Sequence, residues 1–228
     1  MKKKDDFLVI IPAYNEATFI ESLVSKIKYM GFNCLVIDDG SEDKTFFKAK
    51  NAGAIVLKHP FRLGAWLAIQ TGMYFALKQG FKGVVSLDAD GQHIPYYIPS
   101  LITPIKNGLA DVVIGSYTQR LNIQKRFICW FWRRLTGVAI KDITSGFRAY
   151  NQEALRFLCT RNFTLLEYQD LGVLLFLQQA NFRIYEVPVF MKPRHEGRSR
   201  IFSSQWHIFC YLIQTALLGM AKRKNRGK

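Results

Sequence analysis

The chain has 228 residues, of which 49% are hydrophobic and 14% aromatic, so it can bury a sizeable core and is not mainly disordered. Its mean hydropathy is +0.01, and no apolar run reaches the about 18 residues of a membrane-spanning helix, which excludes a polytopic membrane protein. The net charge of +15 is uneven, because residues 1–115 hold 13 Lys and Arg against 11 Asp and Glu, and the rest hold 19 against 6. The basic second half favours phosphate-bearing partners over a merely solvated face.

The first half alternates strand and helix patterns. Continuous apolar runs predict strands at 7–11, 34–37, 54–57, 83–87 and 112–114. Helical spacing predicts helices over 20–30 and 67–77, with Gly80 closing the second and Ser41 as a candidate cap for a helix between them. This rhythm predicts a mostly parallel sheet with helices on both faces, which binds ligands at the carboxyl ends of its strands.

The second half is less regular. Its patterns predict an amphipathic helix over 121–137, an extended piece at 145–148, a helix over 171–179, a strand over 183–189 and a basic loop over 191–200. We expect one domain over 1–201, with a sugar-nucleotide half (1–115) and an acceptor half (116–201), and then a C-terminal segment over 202–228.

That C-terminal segment has an apolar stretch over 206–221 and ends in KRKNRGK. A sixteen-residue helix spans about 24 Å, short of the about 30 Å of a bilayer core. We therefore expect an amphipathic helix that lies in the membrane interface, with the basic tail on anionic headgroups. A core helix or a dimer contact is the alternative.

The strongest chemical signal is the acidic turn after the fourth predicted strand. Asp88 and Asp90 are two residues apart in an extended chain, so both carboxylates face one side. Such a pair suits Mg²⁺ or Mn²⁺ with diphosphate oxygens completing the shell. Gly91 allows the sharp turn, Gln92 adds an oxygen ligand and His93 has a supporting role.

Two other strand ends carry polar residues. The pair Asp38-Asp39 closes the second strand and is typical of a nucleoside-binding carboxylate, although a helix-capping turn also explains it. The segment 12–16 closes the first strand with an aromatic ring and a carboxylate suited to a base. A plain strand–helix connection is the alternative there.

Taken together, these motifs resemble family 2 glycosyltransferases of the GT-A fold, in the branch of dolichol-phosphate mannosyltransferases and bacterial polyprenyl-phosphate glycosyltransferases. Eight segments occur in the family's order and cover about residues 7–201. They are PAYNE (12–16), DDGSEDKT (38–45), HPFRLGAWLAIQTG (59–72), DADGQHIP (88–95), DVVIGS (111–116), DITSGFRAY (142–150), EVPVFM (186–191) and RHEGRSRI (194–201).

The resemblance implies roles for individual residues of both halves. For the donor, the base would be bordered by Pro12, Tyr14 and Glu16, the nucleoside bound by Asp39, the sugar-nucleotide contacted by Asp88, and the metal held by Asp88, Asp90 and Gln92. For the phosphates and the acceptor, the implied residues are Arg148, Arg194, Ser199 and Arg200. Arg200 would also take part in catalysis, as would Asp90.

The implied reaction is an inverting transfer from a nucleotide-diphosphate sugar, with Mg²⁺ or Mn²⁺ and arginines stabilising the leaving diphosphate. A lipid-phosphate acceptor is already ionised and needs no strong base, whereas a sugar hydroxyl needs one. Asp142 is the first candidate base, followed by Glu167 and Asp170. Ion pairs with the abundant arginines are the alternative explanation for all three.

The chain departs from the family pattern at several positions. Tyr117 stands where the family often has arginine, and Arg62 and Trp66 stand at the Asn and second Gly positions of an N-x-G-x-G segment. Trp66 is expected to reshape the donor pocket. Arg200 stands at a Lys or Ser position and keeps a charge with forked geometry.

The sequence lacks the motifs of three competing protein classes. The Thr or Val that follows D-x-D in haloacid-dehalogenase-type phosphatases is missing. No GxGxxG follows the first strand, which argues against a dinucleotide-dependent oxidoreductase. No nucleic-acid-binding motif appears in the basic second half. A glycan acceptor or an inactive sugar-nucleotide-binding relative stays open beside the polyprenyl-phosphate acceptor. The four dispersed cysteines favour a reducing compartment without zinc. We expect a cytoplasmic enzyme, peripherally bound to the cytoplasmic face of a membrane.

Overall fold

The computed structural model describes residues 6–120, 140–160 and 171–192. Its strands are β1 (Phe7–Ala13), β2 (Asn33–Asp38), β3 (Ile55–Lys58), β4 (Gly83–Ser86), β5 (Val112–Ser116), β6 (Arg148–Asn151) and β7 (Ile184–Pro188). Its α-helices are α1 (Ile20–Tyr29), α2 (Thr45–Asn51), α3 (Ala65–Lys78), α4 (Ile98–Lys106), α5 (Gln152–Leu158) and α6 (Leu171–Gln179). Short 3₁₀ turns lie at Pro95–Tyr97 and Thr118–Arg120.

The described strands form one sheet in the order β3-β2-β1-β4-β6-β5-β7. Four of the six neighbouring pairs are parallel, and β6 is antiparallel to both β4 and β5. The predicted mostly parallel α/β sheet is therefore confirmed. The position of β6 was not predicted, because its partners are set by residues far away in the sequence.

Alternate residues of β1 face two separate cores, as the period of two in a strand requires. Val9 and Ile11 pack in the core under α1 and α4, whereas Leu8 and Ile10 pack in the core under α3, α5 and α6. All four side chains are fully buried. The continuous apolar run of β1 thus reflects a central strand covered by helices on both faces.

Local turn chemistry differs from prediction at Ser41. The helix α2 begins only at Thr45, and its N-cap residue makes no capping hydrogen bond through its side chain. The Ser41 hydroxyl instead accepts a hydrogen bond from the Asn15 N–H at 3.0 Å, and the Asp43 carboxylate accepts from the Thr45 N–H at 2.9 Å. Ser41 therefore joins the ends of β1 and β2, and the prediction that it caps a helix was wrong.

Several sequence predictions fall on residues that the structure does not describe. They are the amphipathic helix over 121–137, most of the basic loop over 191–200 and the C-terminal helix over 206–221. Within the described ranges, no helix combines the length and apolar character needed to cross a membrane.

An ion pair joins the start of β5 to the start of β7. The Asp111 carboxylate accepts hydrogen bonds from the Arg183 guanidinium at 2.9 and 3.1 Å and from the Arg183 N–H at 2.8 Å. Hydrogen bonding to Arg183 holds the pKa of Asp111 below its usual value. The ionised carboxylate thus stabilises the folded chain above about pH 4, and this stabilisation disappears as the pH falls through the folded-state pKa.

We therefore expect acid to destabilise the unaltered chain more than Asp111→Asn, which cannot lose a charge at this position. The measurement is the urea midpoint of unfolding at pH 7 and at pH 3. Between these two pH values the midpoint should fall further in the unaltered chain. Parallel declines in both proteins would contradict the assignment.

Candidate active site

The candidate site lies along one edge of the sheet. Because β1, β2 and β4 are parallel, Tyr14, Asp39 and Asp88 all follow the carboxyl ends of their strands at this edge. The antiparallel strand β6 begins at the same edge, so the loop over 142–147 that leads into it also lies there. The fold therefore places the motifs at 12–16, 38–45, 88–95 and 142–150 along one edge of the sheet.

His93 lies directly behind Asp88. Its Nδ1 accepts a hydrogen bond from the Asp88 N–H at 3.0 Å, so this nitrogen carries no proton and the proton of the neutral ring is on Nε2. Nε2 faces the Asp88 Oδ2 at 3.8 Å. The buried ring also stacks on Phe147, with 5.1 Å between ring centroids. His93 thus has the supporting role that the sequence suggested.

The two acidic residues of the turn are both partly exposed. Asp88 and Asp90 are half-buried, while Ala89 between them is buried. Asp90 Oδ1 accepts a hydrogen bond from the Gln92 N–H at 3.1 Å. This backbone contact fixes the turn and keeps the Asp90 carboxylate beside Gln92.

Gln92 joins this turn to the segment after β7. The Lys192 N–H donates to the Gln92 carbonyl oxygen at 2.9 Å, and Gln92 Nε2 donates to the Lys192 carbonyl oxygen at 3.4 Å. His93 and Met191 add an antiparallel bridge. The end of the described chain is thereby attached to the acidic turn.

Arg148 holds the loop that precedes β6. Its side chain is fully buried, and its guanidinium donates hydrogen bonds at 2.8 Å to the carbonyl oxygens of Ser145 and Ile143. We expected an arginine that binds acceptor or phosphate directly. The structure instead gives it a positioning role, since its charge is turned onto backbone oxygens and away from solvent.

Asp142, the first candidate base, is also fully buried. Its Oδ2 accepts a hydrogen bond from the Tyr117 N–H at 3.2 Å, and its Oδ1 accepts one from the Thr144 hydroxyl at 3.1 Å. Its own N–H donates to Glu186 Oε1 at 3.0 Å. In this arrangement Asp142 ties the end of β5 and the middle of β7 to the loop, and no acceptor hydroxyl can reach it without rearrangement.

Asp39 organises the other end of the site and is 3% exposed. Its Oδ1 accepts hydrogen bonds from His59 Nδ1 at 2.8 Å and from the Leu63 N–H at 2.9 Å. Its Oδ2 accepts from the Gly64 N–H at 2.8 Å. The expected nucleoside-binding carboxylate therefore holds the loop that starts α3.

His59 joins Asp39 to α3. Its Nδ1 is hydrogen-bonded to Asp39 Oδ1 at 2.8 Å, and its Nε2 is hydrogen-bonded to the Thr71 hydroxyl at 3.1 Å. The Thr71 hydroxyl also donates to the Leu67 carbonyl oxygen at 2.9 Å. The buried His59 ring thus connects the end of β2 to α3.

Three residues near the end of β1 are half-buried: Pro12 within the strand, and Tyr14 and Glu16 after it. The Arg62 guanidinium carbon lies 4.6 Å from the centroid of the Tyr14 ring, a cation–π contact. Trp66, in contrast, is 1% exposed and packs in the core under α3. The expectation that Trp66 reshapes the donor pocket was therefore wrong, whereas Arg62, another departure from the family pattern, lies at this edge.

Comparison with known proteins identifies the family. The model of glycosyl transferase family 2 matches residues 8–157, more than half of the chain. The chain belongs to glycosyl transferase family 2. The family expected from the eight motifs is thereby confirmed, and this glycosyltransferase is similar to enzymes of the polyprenyl-phosphate branch, as two curated relatives show.

The first of these relatives is a polyprenol monophosphomannose synthase of Mycolicibacterium smegmatis. The alignment is 244 residues long at 30% identity, and it covers 97% of this chain and 88% of the relative. The second is a UDP-N-acetylglucosamine–dolichyl-phosphate N-acetylglucosaminyltransferase of Methanococcus voltae. It is 30% identical over 213 residues, which cover 79% of this chain and 83% of the relative.

A solved structure shows the same fold. It is glucosyl-3-phosphoglycerate synthase from Mycobacterium tuberculosis in complex with Mn²⁺, uridine diphosphate and phosphoglyceric acid. Its TM-score is 0.69 at 23% identity, and the match covers 92% of this chain and 77% of that chain. The predicted GT-A fold of this glycosyltransferase is therefore confirmed.

The acidic turn of this glycosyltransferase carries oxygen ligands of the kind that bind a hard divalent cation. Among the described residues, no three His, Cys, Asp or Glu side chains cluster closely enough to hold a metal by themselves. Asp88, Asp90 and the Gln92 amide instead offer a partial set of oxygen ligands on a half-buried edge. Such a set suits Mg²⁺ or Mn²⁺ when substrate phosphates supply further oxygens.

Five predicted residues lie outside the described ranges of this glycosyltransferase. They are Glu167, Asp170, Arg194, Ser199 and Arg200. Sequence reasoning in turn missed the roles of His59 and Glu186. The matched segments HPFRLG and EVPV contained them, but nothing local in these segments indicated their partners.

Proposed function

We propose that the chain transfers a sugar from a nucleotide-diphosphate sugar to a polyprenyl phosphate, with inversion at the anomeric carbon. The acceptor class is supported by relatives that are named for polyprenol and dolichyl phosphate products or acceptors. Their sugars differ, being mannose in one and N-acetylglucosamine in the other. The proposal therefore fixes the acceptor class and leaves the sugar to experiment.

On the donor side, we assign the diphosphate to the edge that carries Asp88, Asp90 and Gln92. These residues would hold Mg²⁺ or Mn²⁺, which supplies positive charge to the leaving diphosphate when it is bound. Tyr14 and Arg62 lie at the same edge beside the loop that Asp39 holds. This neighbourhood supports a nucleoside position near the ends of β1 and β2.

On the acceptor side, the burial of Asp142 carries the argument. Both of its carboxylate oxygens accept hydrogen bonds from the protein, and the residue has no exposed surface. It is poorly placed to deprotonate a sugar hydroxyl, which would need a base within about 3 Å. A phosphate acceptor needs no such base, because its oxygen is already ionised at neutral pH.

The chemical step is then a direct displacement. A phosphate oxygen of the acceptor forms a bond to the anomeric carbon while the bond from that carbon to the donor diphosphate breaks. The electron pair leaves with the nucleoside diphosphate, and no proton is transferred to Asp142. The protein contributes by orienting both phosphates and by concentrating positive charge near them.

The lipid acceptor would bring the reaction to a membrane surface. The apolar stretch over 206–221 and the basic residues of 222–228 support peripheral binding to anionic lipid. We extend the proposal to the cytoplasmic face of a membrane, where sugar-nucleotides are made.

The test is transfer of radiolabel from a panel of sugar-nucleotides to undecaprenyl phosphate in anionic vesicles, with Mn²⁺ or Mg²⁺. We expect label from one donor to enter the organic phase. Undecaprenol is the matched control, because it has the same chain without the phosphate, and it should accept nothing. Label that enters a water-soluble glycan instead would identify a different acceptor and refute the proposal.

A further inference from the structure

Gly146 lies against the Asp88 carboxylate. A Cβ atom built on Gly146 would be 2.7 Å from Asp88 Oδ1, 2.8 Å from Oδ2 and 3.1 Å from Cγ. The φ angle of Gly146 is not in the left-handed region, so its backbone conformation is open to alanine. The glycine is therefore required by the close approach of the carboxylate and by nothing in its own backbone.

The backbone at Gly146 is fixed from the side of the sheet. The Ser86 hydroxyl, at the end of β4, donates a hydrogen bond to the Gly146 carbonyl oxygen at 3.0 Å. Arg148 holds the carbonyl oxygens of Ser145 and Ile143, as described above. The loop is thus anchored on both sides of Gly146, and it cannot easily move to make room for a larger residue.

Asp88 is also supported from its other side. His93 accepts from the Asp88 N–H, and the His93 ring stacks on Phe147, the residue after Gly146. Within the described ranges, no hydrogen bond to the Asp88 carboxylate oxygens is formed, and the side chain is 47% exposed. Its orientation is therefore set by packing against Gly146 and His93.

We infer that Gly146 is a positioning residue that sets the direction of the Asp88 carboxylate for metal-dependent donor binding. The inference rests on the proposed function, because that function gives Asp88 its ligand. Sites of this kind tolerate displacements of only about 0.5 Å. A methyl group at position 146 would turn the Asp88 carboxylate away from Asp90 and Gln92 while the sheet stays intact.

The experiment compares Gly146→Ala with the unaltered chain. Binding of uridine and guanosine diphosphates is measured by calorimetry over a range of Mn²⁺ concentrations, and melting temperatures are measured in parallel. We expect Gly146→Ala to need about tenfold more Mn²⁺ for half-maximal nucleotide binding, the usual scale for residues that orient metal ligands. Its melting temperature should stay close to that of the unaltered chain.

Gly115→Ala is the matched control. Its φ is also outside the left-handed region, and the atoms nearest to its Cβ would belong to the side chains of Phe147 and Val189, at 3.2 to 3.3 Å. It therefore crowds the same loop without touching the carboxylate, and its Mn²⁺ requirement should stay within twofold. Equal effects of both variants, or an unchanged requirement in Gly146→Ala, would overturn the inference.

Two further variants cover the other outcomes. If Gly146→Ala does not fold, Ser86→Ala tests the inference instead. It removes the hydrogen bond to the Gly146 carbonyl oxygen and should likewise raise the Mn²⁺ concentration needed for half-maximal nucleotide binding. If the unaltered chain binds no nucleotide, the proposed function fails. Melting temperatures then test whether Gly146 packs against the Asp88 carboxylate. Gly146→Ala should then lower the melting temperature less in an Asp88→Ala chain, and equal shifts in both chains would refute the contact.

Discussion

Asp90→Ala is expected to lower sugar transfer about a thousandfold, because losing a ligand to the cation removes several kcal/mol of charge stabilisation from the leaving diphosphate. The fold should survive, since Asp90 is half-buried and its Oδ1 accepts a hydrogen bond from a backbone N–H within its own turn. The measurement is label transfer at saturating Mn²⁺, with the melting temperature recorded on the same preparation.

Glu42→Ala is the matched control for Asp90→Ala. Glu42 is an exposed acid in the turn after β2, and its removal changes the net charge by the same amount. It should leave transfer within about twofold. Full activity of Asp90→Ala, or full activity of the unaltered chain after chelation of all divalent metal, would show that the acidic turn holds no cation.

The second large effect is on stability. Asp39→Ala is expected to lower the free energy of unfolding by about 3 kcal/mol, because it leaves the buried His59 Nδ1 without its hydrogen-bond partner. It also leaves the Leu63 and Gly64 N–H groups without their acceptor. Urea unfolding monitored by circular dichroism measures this loss, and the expected result is a lower midpoint with an unchanged slope.

Asp6→Ala provides the comparison for Asp39→Ala. Asp6 forms an ion pair with Lys82 at 2.9 Å, but the two side chains are 49% and 71% exposed. Such surface pairs contribute at most about 1 kcal/mol. A loss in Asp39→Ala no larger than the loss in Asp6→Ala would mean that the Asp39–His59 pair does not hold the loop.

The central strands could be predicted because their signal is local. The apolar run predicted at 7–11 lies within β1, and the run predicted at 34–37 lies within β2. A strand buried on both faces needs apolar residues at every position, so its own sequence shows it. The helix predicted over 171–179 is confirmed by α6, for a similar reason.

Other elements could not be predicted, because their causes lie elsewhere in the chain. The helix α4 contains Pro99 in its first turn and Pro104 near its end, and the sequence patterns did not predict it. The direction of β6 depends on β4 and β5, which lie about 35 to 65 residues earlier in the sequence. Periodicity within one segment carries no information about such partners.

The candidate site also contains residues that a local pattern predicted and residues whose roles depend on distant partners. The sequence placed Asp88 and Asp90 at a strand end, because D-x-D after a buried strand is a local pattern. It could not show that Asp39 is paired with His59, twenty residues further along, or that Arg148 faces the backbone of its own loop. A charged residue looks the same in sequence whether it meets a ligand or holds a loop.

The antiparallel strand β6 divides the sheet into two parts. The strands that carry Tyr14, Asp39 and Asp88 lie on one side of it, and β5 and β7 lie on the other. In the described part of the sheet, the two groups of strands share hydrogen bonds only through β6. Side chains on β5 and β7 can thus be exchanged between related chains without altering a backbone contact of β1, β2 or β4, so the fold allows one half to diversify while the other is kept.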